Sequence, residues 1–168
     1  MEIIAETGRK VLRAGEIEMV CALGKNGVIA GEGGREGDGK TPLGRYVLRF
    51  GLYRSDRIEL PQTGLIFHPL NTDDGWCDDP NDLAYNRFVR LPYRVRSENL
   101  WRESGVYDII IVLGHNDAPP VSGLGSAIFL HIAREGYGPT QGCIAISQTD
   151  MLRLIPMLGQ KDTINITS

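Results

Sequence analysis

The apolar segments of this chain are all short. Glu16–Leu23, Arg45–Phe50, Gly64–His68, Tyr107–Leu113, Ala127–Ile132 and Cys143–Ile146 are β-branched or otherwise apolar, and Gly, Pro, Asn or Asp bound them. Runs of that length between turn formers are strands rather than helices. The 21 glycines and nine prolines supply the many turns that such a pattern requires. The expected fold is therefore mainly β, sandwich-like or barrel-like, with one or two short helices. At 168 residues and 18.5 kDa, one domain covering 1–168 can bury an adequate core without disulfide or metal staples.

Local signals refine this outline. Asn26-Gly27, after the Glu16–Leu23 run, favours a type I′ hairpin turn. The polar, glycine-rich stretch 31–39 reads as a mobile, solvated surface loop. Ser97–Arg102 suggests a short helical turn, and Ser147-Gln148-Thr149-Asp150 resembles a capping box opening a helix over Met151–Leu158. Pro156 should end or kink that helix. The alternating Thr163–Thr167 has the look of an edge strand.

Charge and hydropathy exclude several functions. A formal charge of −3 and a pI near 5.6 provide no basic field for nucleic acid or an anionic membrane surface. No apolar run approaches the roughly 20 residues of a transmembrane span. Residues 1–8 lack the basic patch, apolar run and small-residue cleavage site of a secretory signal. The three cysteines, Cys21, Cys77 and Cys143, cannot all pair internally, and their separations match no Cys-x-x-Cys or zinc-finger pattern.

The chemistry is concentrated between Phe129 and Ile146, where a strand ending in His131 is followed by a turn-rich loop and then Gly142-Cys143 at the head of another strand. Neighbouring strands would bring imidazole and thiol together, with His131 taking the proton of the nucleophile Cys143. Gly142 removes a side chain where a carbonyl must approach, and turn N–H groups offer an oxyanion hole. Cys21, inside an apolar run, reads as core. Cys77 sits among Asp73, Asp74, Asp78 and Asp79, a negative field that disfavours a thiolate, so it reads as structural or substrate-lining. His68 and His115 follow strands, where pocket residues gather, and His115 is the better placed. Tyr85, Asn86 and Trp76 are candidates for contact with a glycan or peptide, or for a packed loop.

Thr140-Gln141-Gly142-Cys143, with His131 upstream, resembles the Ser/Thr-x-Gly-Cys catalytic stretch of L,D-transpeptidases of the YkuD type. Lys40-Thr41-Pro42-Leu43-Gly44-Arg45-Tyr46 is similar to a signature near the start of the same domain, and the Trp76–Asp82 block looks like one branch of the family. The resemblance spans roughly residues 15–155, with two departures: Gln141 stands where His usually precedes Gly-Cys, and Ala145 stands where Arg usually follows. It implies a Cys143 thioester on peptidoglycan stem peptides or muropeptides, with Thr140, Gln141, Gly142, Arg134 and His115 as substrate-binding or oxyanion residues and no cofactor. Arg134 is the candidate replacement for the missing Arg. Transfer to an amine makes this a transpeptidase; transfer to water makes it an L,D-carboxypeptidase or amidase. The family role implies a cell-envelope or periplasmic location, whereas the signal-less N-terminus leaves the cytoplasm open. Two other classes are a zinc hydrolase drawing on His68, Asp78, His115, Asp117, His131 and Cys143, and a non-catalytic peptidoglycan-binding domain.

Overall fold

In the computed structural model, which describes residues 1–168, the short apolar runs form thirteen strands and one α-helix. They are β1 (Glu2–Glu6), β2 (Val11–Ala14), β3 (Ile17–Ala22), β4 (Val28–Ala30), β5 (Thr41–Tyr53), β6 (Phe67–Pro69) and β7 (Asp74–Cys77). There follow β8 (Arg87–Arg90), β9 (Ser97–Asn99), β10 (Ile109–Leu113), β11 (Phe129–Ile132), β12 (Ile144–Ile146), α1 (Gln148–Leu154) and β13 (Thr163–Thr167). No helix is long and apolar enough to cross a membrane.

Eight strands close on themselves in the order β10-β11-β12-β3-β2-β1-β13-β5, with β5 pairing back onto β10. The strand that makes closure possible is β5. Its residues 44–47 pair with β13, and residues 48–53 pair with β10 across a bulge at Val112/Leu113. A bulge bends and twists a strand locally, which lets one strand serve both walls. Inside lies a core of 23 buried residues, among them Ile3, Leu12, Met19, Ile109, Leu130 and Ile144. The helix closes one end through Met151 and Leu154.

A separate three-stranded sheet, β8-β7-β9, covers the outer face of β10 and β11. Its second cluster contains Trp76, Leu100, Tyr107, Ile110, Val112, Phe129 and Cys143. This explains why β10, Ile-Ile-Ile-Val-Leu, has no polar face. Ile109, Ile111 and Leu113 enter the barrel while Ile110 and Val112 meet the small sheet.

Several local expectations fail for identifiable reasons. Asn26-Gly27 closes a turn in which Gly27 N–H reaches Gly24 O at 3.0 Å, but the following β4 pairs in parallel with β5 rather than folding back on β3. Only Gly27 of the pair has positive φ, so the turn is not type I′. The antiparallel start of the fold is instead the β1-β2-β3 meander. Ser97–Asn99 is strand β9, not a helical turn, because it pairs with β7. Thr163–Thr167 alternates as expected but lies between β1 and β5, so it is a central strand. The 31–39 stretch is tied down: Asp38 accepts from the N–H groups of Arg35 and Lys40, Glu36 N–H donates to Gly123 O, and Glu36 accepts from Tyr85.

The capping box forms as predicted, with Ser147 Oγ accepting from Asp150 N–H at 3.0 Å and donating to its carboxylate at 2.8 Å, but the helix already starts at Gln148, three residues before Met151. It ends earlier, at Leu154, with a 3₁₀ turn over Ile155–Met157 that accommodates Pro156.

Candidate active site

A cleft of about 510 Å³ opens at the seam between the closed sheet and the small sheet. Its floor is set by the parallel pairing of β11 with β12, in which Leu130 faces Ile144 and His131 faces Ala145. Leu130, Ile132, Ile144 and Ile146 point into the barrel, so Phe129, His131, Cys143 and Ala145 point out toward the seam. The two-residue period of the strands therefore brings imidazole and thiol into one cleft.

Cys143 is only 7% exposed. Its Sγ–H donates to Ala127 O at 3.1 Å and the sulfur accepts from Phe129 N–H at 3.4 Å. Burial pushes the thiol up to about 12; Glu98 adds to the rise, while the Phe129 N–H and Arg102 oppose it. His131 is equally buried, and its Nδ1 lies 2.9 Å from Ile132 O. A carbonyl can only accept, so Nδ1 carries the proton and the Nε2 lone pair is the basic one. Burial lowers the imidazole to about 4, against the pull of the Ile132 and Val106 carbonyls, which favour the protonated ring. Tyr107 packs edge-on against this ring, with centroids 5.2 Å apart. Nothing in the chain bonds His131 directly to Cys143; each is held by backbone.

The residues around the thiol divide by what they touch. Thr140 Oγ1 donates to Cys143 O at 2.6 Å and accepts from Gly142 N–H at 3.1 Å, so it braces the turn. The Gly142 N–H is thus committed to Thr140, contrary to the expectation of a free oxyanion donor there. Nor is Gly142 glycine merely to admit a substrate. Its φ is +132°, and a Cβ would stand 2.8 Å from Lys40 O, which places the start of the Lys40–Gly44 segment directly behind the Gly142-Cys143 turn. Gln141 is exposed on the cleft wall. Arg134 is also exposed, lines the cleft and makes no ion pair within the chain. His115 is a buried wall residue, edge-on to Tyr46 at 5.4 Å, and burial lowers its pKa.

Other candidates stand outside. His68 is exposed on β6 against Phe50, away from the cleft. Cys21 is core, and Cys77 is fully buried in β7 without lining the cleft. Asn86 and Trp76 are packing groups rather than substrate contacts. Asn86 Oδ1 accepts from Trp76 Nε1 and from Ala127 N–H, both at 3.0 Å, and its Nδ2 donates to the carbonyls of His115 and Asn116. The Tyr85 hydroxyl donates to Glu36 and accepts from Gly125 N–H. No three of the His, Cys, Asp and Glu side chains converge as a metal cluster would require. Asp117 is forked by Arg49, and Asp78 is held by Arg96.

One family model, that of the L,D-transpeptidase catalytic domain (YkuD), matches residues 3–166, a range that contains the Gly142-Cys143 turn, His131 and the Lys40–Gly44 segment. The chain belongs to that family. Its fold is also similar to an L,D-transpeptidase from Mycobacterium smegmatis (11% identity, TM-score 0.47, covering 99% of this chain and 58% of that one). L,D-transpeptidase 1 of Mycobacterium tuberculosis is similar at 13% identity and TM-score 0.44, with coverage of 99% and 61%. L,D-transpeptidase 3 of the same organism, in complex with a faropenem-derived adduct, gives 13% and 0.48, with coverage of 99% and 60%. The chain thus spans about three-fifths of the length of these structures. No curated protein is similar enough to count as a match.

Sequence reasoning missed a third wall of this L,D-transpeptidase-family cleft, made by Arg96, Glu98, Arg102 and Tyr107. The signal was present: Arg96 and Glu98 are charged at a spacing of two, the period of one strand face, which a helical reading of Ser97–Arg102 conceals.

Proposed function

We propose that this chain acts as one catalytic domain carrying out cysteine-dependent acyl transfer on peptidoglycan stem peptides. The observation that carries the reading is the placement of Cys143 and His131 on the same outward face of paired strands, at the floor of one cleft, with the histidine tautomer set by Ile132 O. A thiol at about 12 and an imidazole at about 4 form a neutral pair at rest. Prior ionisation is therefore not the route. The proton passes to His131 Nε2 as sulfur attacks the carbonyl carbon, and negative charge moves onto the carbonyl oxygen. Collapse breaks the C–N bond, and the imidazolium protonates the departing amine, which leaves as the terminal D-amino acid. Arg134, cationic and without an acidic partner at the rim, suits that amino acid's carboxylate. The thioester then passes to an amine or to water, and the proton returns to sulfur.

Hydrolysis, as an L,D-carboxypeptidase or amidase, is the second reading. It is favoured by Ala145, which lines the cleft with a methyl group where the family motif has an Arg. Incubation with a carbapenem, followed by intact-mass measurement, tests the nucleophile. The expected result is a covalent adduct on the wild-type chain and none on Cys143→Ala. No adduct on wild type, or an undiminished one on the variant, defeats the reading. Product analysis of digested sacculi then separates new crosslinks from trimmed stems.

A further inference from the structure

Ala127, just ahead of β11, stands in a conformation that its side chain disfavours. Its φ is +53°, in the left-handed region where a residue with a Cβ is uncommon. What holds it there is Asn86, itself at φ +56° and only 5% exposed. Asn86 Oδ1 accepts from Ala127 N–H and from Trp76 Nε1, both at 3.0 Å, while Nδ2 donates to His115 O at 3.0 Å and to Asn116 O at 2.7 Å. All four hydrogen-bonding positions of the amide are filled, so the side chain has one orientation. Its own N–H reaches Cys77 O at 2.8 Å and ties it to β7. Strain persists only where the surroundings over-determine it, and here they do so beside the reactive sulfur. The Ala127 carbonyl accepts from Cys143 Sγ–H at 3.1 Å. A carbonyl cannot donate, so this contact exists only while sulfur keeps its proton.

We propose that Asn86 is a positioning residue for Cys143: by holding Ala127 left-handed it aims the Ala127 carbonyl at the sulfur and latches the thiol proton there rather than on His131. The inference rests on the reading of Cys143 as the nucleophile and adds what restrains it at rest. Opening the latch breaks one S–H···O bond, after which the proton can pass to His131 Nε2. The carbonyl oxygen is the negative end of its dipole, so at 3.1 Å it disfavours a thiolate. It acts in the same direction as burial, which pushes the thiol up to about 12. The titratable groups around the sulfur are His131 on β11, Glu98 on β9, Arg102 beyond it and Tyr107 ahead of β10. None of them bonds to Asn86 or Ala127, so the latch can be altered while they stay in place. Ala127 is half-buried on the cleft wall, which leaves room for a larger side chain there.

The test reads the thiol proton directly. The S–H stretch of Cys143 is isolated as the infrared difference between each protein and the same protein carrying Cys143→Ala, which cancels Cys21 and Cys77. In the wild type the band is expected below the frequency of a cysteine thiol in water, because donation to a carbonyl weakens the S–H bond. Asn86→Ala should return it toward that frequency. So should Ala127→Val, whose β-branched side chain disfavours a φ near +53°, whereas Ala127→Gly is free to keep that φ and should hold the wild-type band. Loss of one hydrogen bond lowers the thiol by up to about one pK unit. Thiolate then rises up to about tenfold at pH 7, and the weaker base is a poorer nucleophile, so iodoacetamide should label Cys143 up to about threefold faster in Asn86→Ala and Ala127→Val. A packing role alone would speed labelling through access and leave the band in place. A band unmoved in both variants therefore overturns the latch, whatever the labelling does. If Asn86→Ala fails to fold, the Ala127 pair decides alone. Carbapenem adducts are measured alongside: their absence on the wild type removes the thioester reading and the latch with it, whereas adducts with an unmoved band remove only the latch.

Discussion

The resting state of Cys143 makes a sharp prediction about its reactivity toward a small alkylating agent. With the thiol raised from an ordinary 9.0 to about 12, the thiolate fraction at pH 7 falls from on the order of one in a hundred to one in 100,000. A more basic thiolate is a better nucleophile, and a Brønsted slope of about 0.4–0.5 over three pK units returns roughly 20-fold. Iodoacetamide should therefore label Cys143 about 50-fold more slowly than a free thiol at pH 7. The decisive quantity is the pH slope, because steric hindrance lowers the rate at every pH alike. Mapped by mass on the Cys143 peptide, the logarithm of the rate should climb by about one per pH unit from pH 6 to 10. A plateau between pH 6 and 8 would show a preformed thiolate–imidazolium pair and refute the neutral-pair argument.

Three further outcomes follow from the same geometry. His131 falls from 6.5 to about 4 on folding, so between those values the unfolded chain binds more protons and stability rises with pH. The unfolding free energy from denaturant titration should fall by up to about 3 kcal/mol from pH 7 to 4, and His131→Gln should flatten that slope; an equally steep curve in the variant assigns it to other groups. Asn86→Ala strands four hydrogen-bonding partners, including the Ala127 N–H next to the carbonyl that holds Cys143. It should cost about 3 kcal/mol or more in chemical denaturation, and a loss below 1 would show that water replaces the amide. Gly142→Ala at φ +132°, with Lys40 O at 2.8 Å from the new Cβ, should abolish adduct formation and cost about 2 kcal/mol; wild-type acylation would show that the turn relaxes freely.

How legible each feature was depends on the range of the interaction that fixes it. The shared cleft position of His131 and Cys143 was legible because the strands bearing them are neighbours in sequence and the period of two settles which way the side chains point. The mainly β class followed from the short bounded runs for the same local reason. Thr163–Thr167 shows the limit. Its alternation reports faces, not neighbours, and its central position depends on β1 at the far end of the chain. Asn26-Gly27 is a turn in fact, but the partner of the strand after it is chosen by parallel pairing with β5. Glu98 and Arg102 were missed because β9 is a strand only through its pairing with β7.

The seam itself links these observations to selectivity. The β8-β7-β9 sheet buries the outer face of β10 and β11, and that burial is what holds the thiol and the imidazole neutral. The same small sheet carries Glu98, with Arg102 just beyond it, so the element that buries the Cys143 thiol also presents charges to the cleft. The closed sheet sets the positions of Cys143 and His131, while the added sheet sets their resting electrostatics. Substitutions in β1, β2 or β13, none of which lines the cleft, should therefore act through stability, whereas Glu98 on β9 should act through the cleft itself.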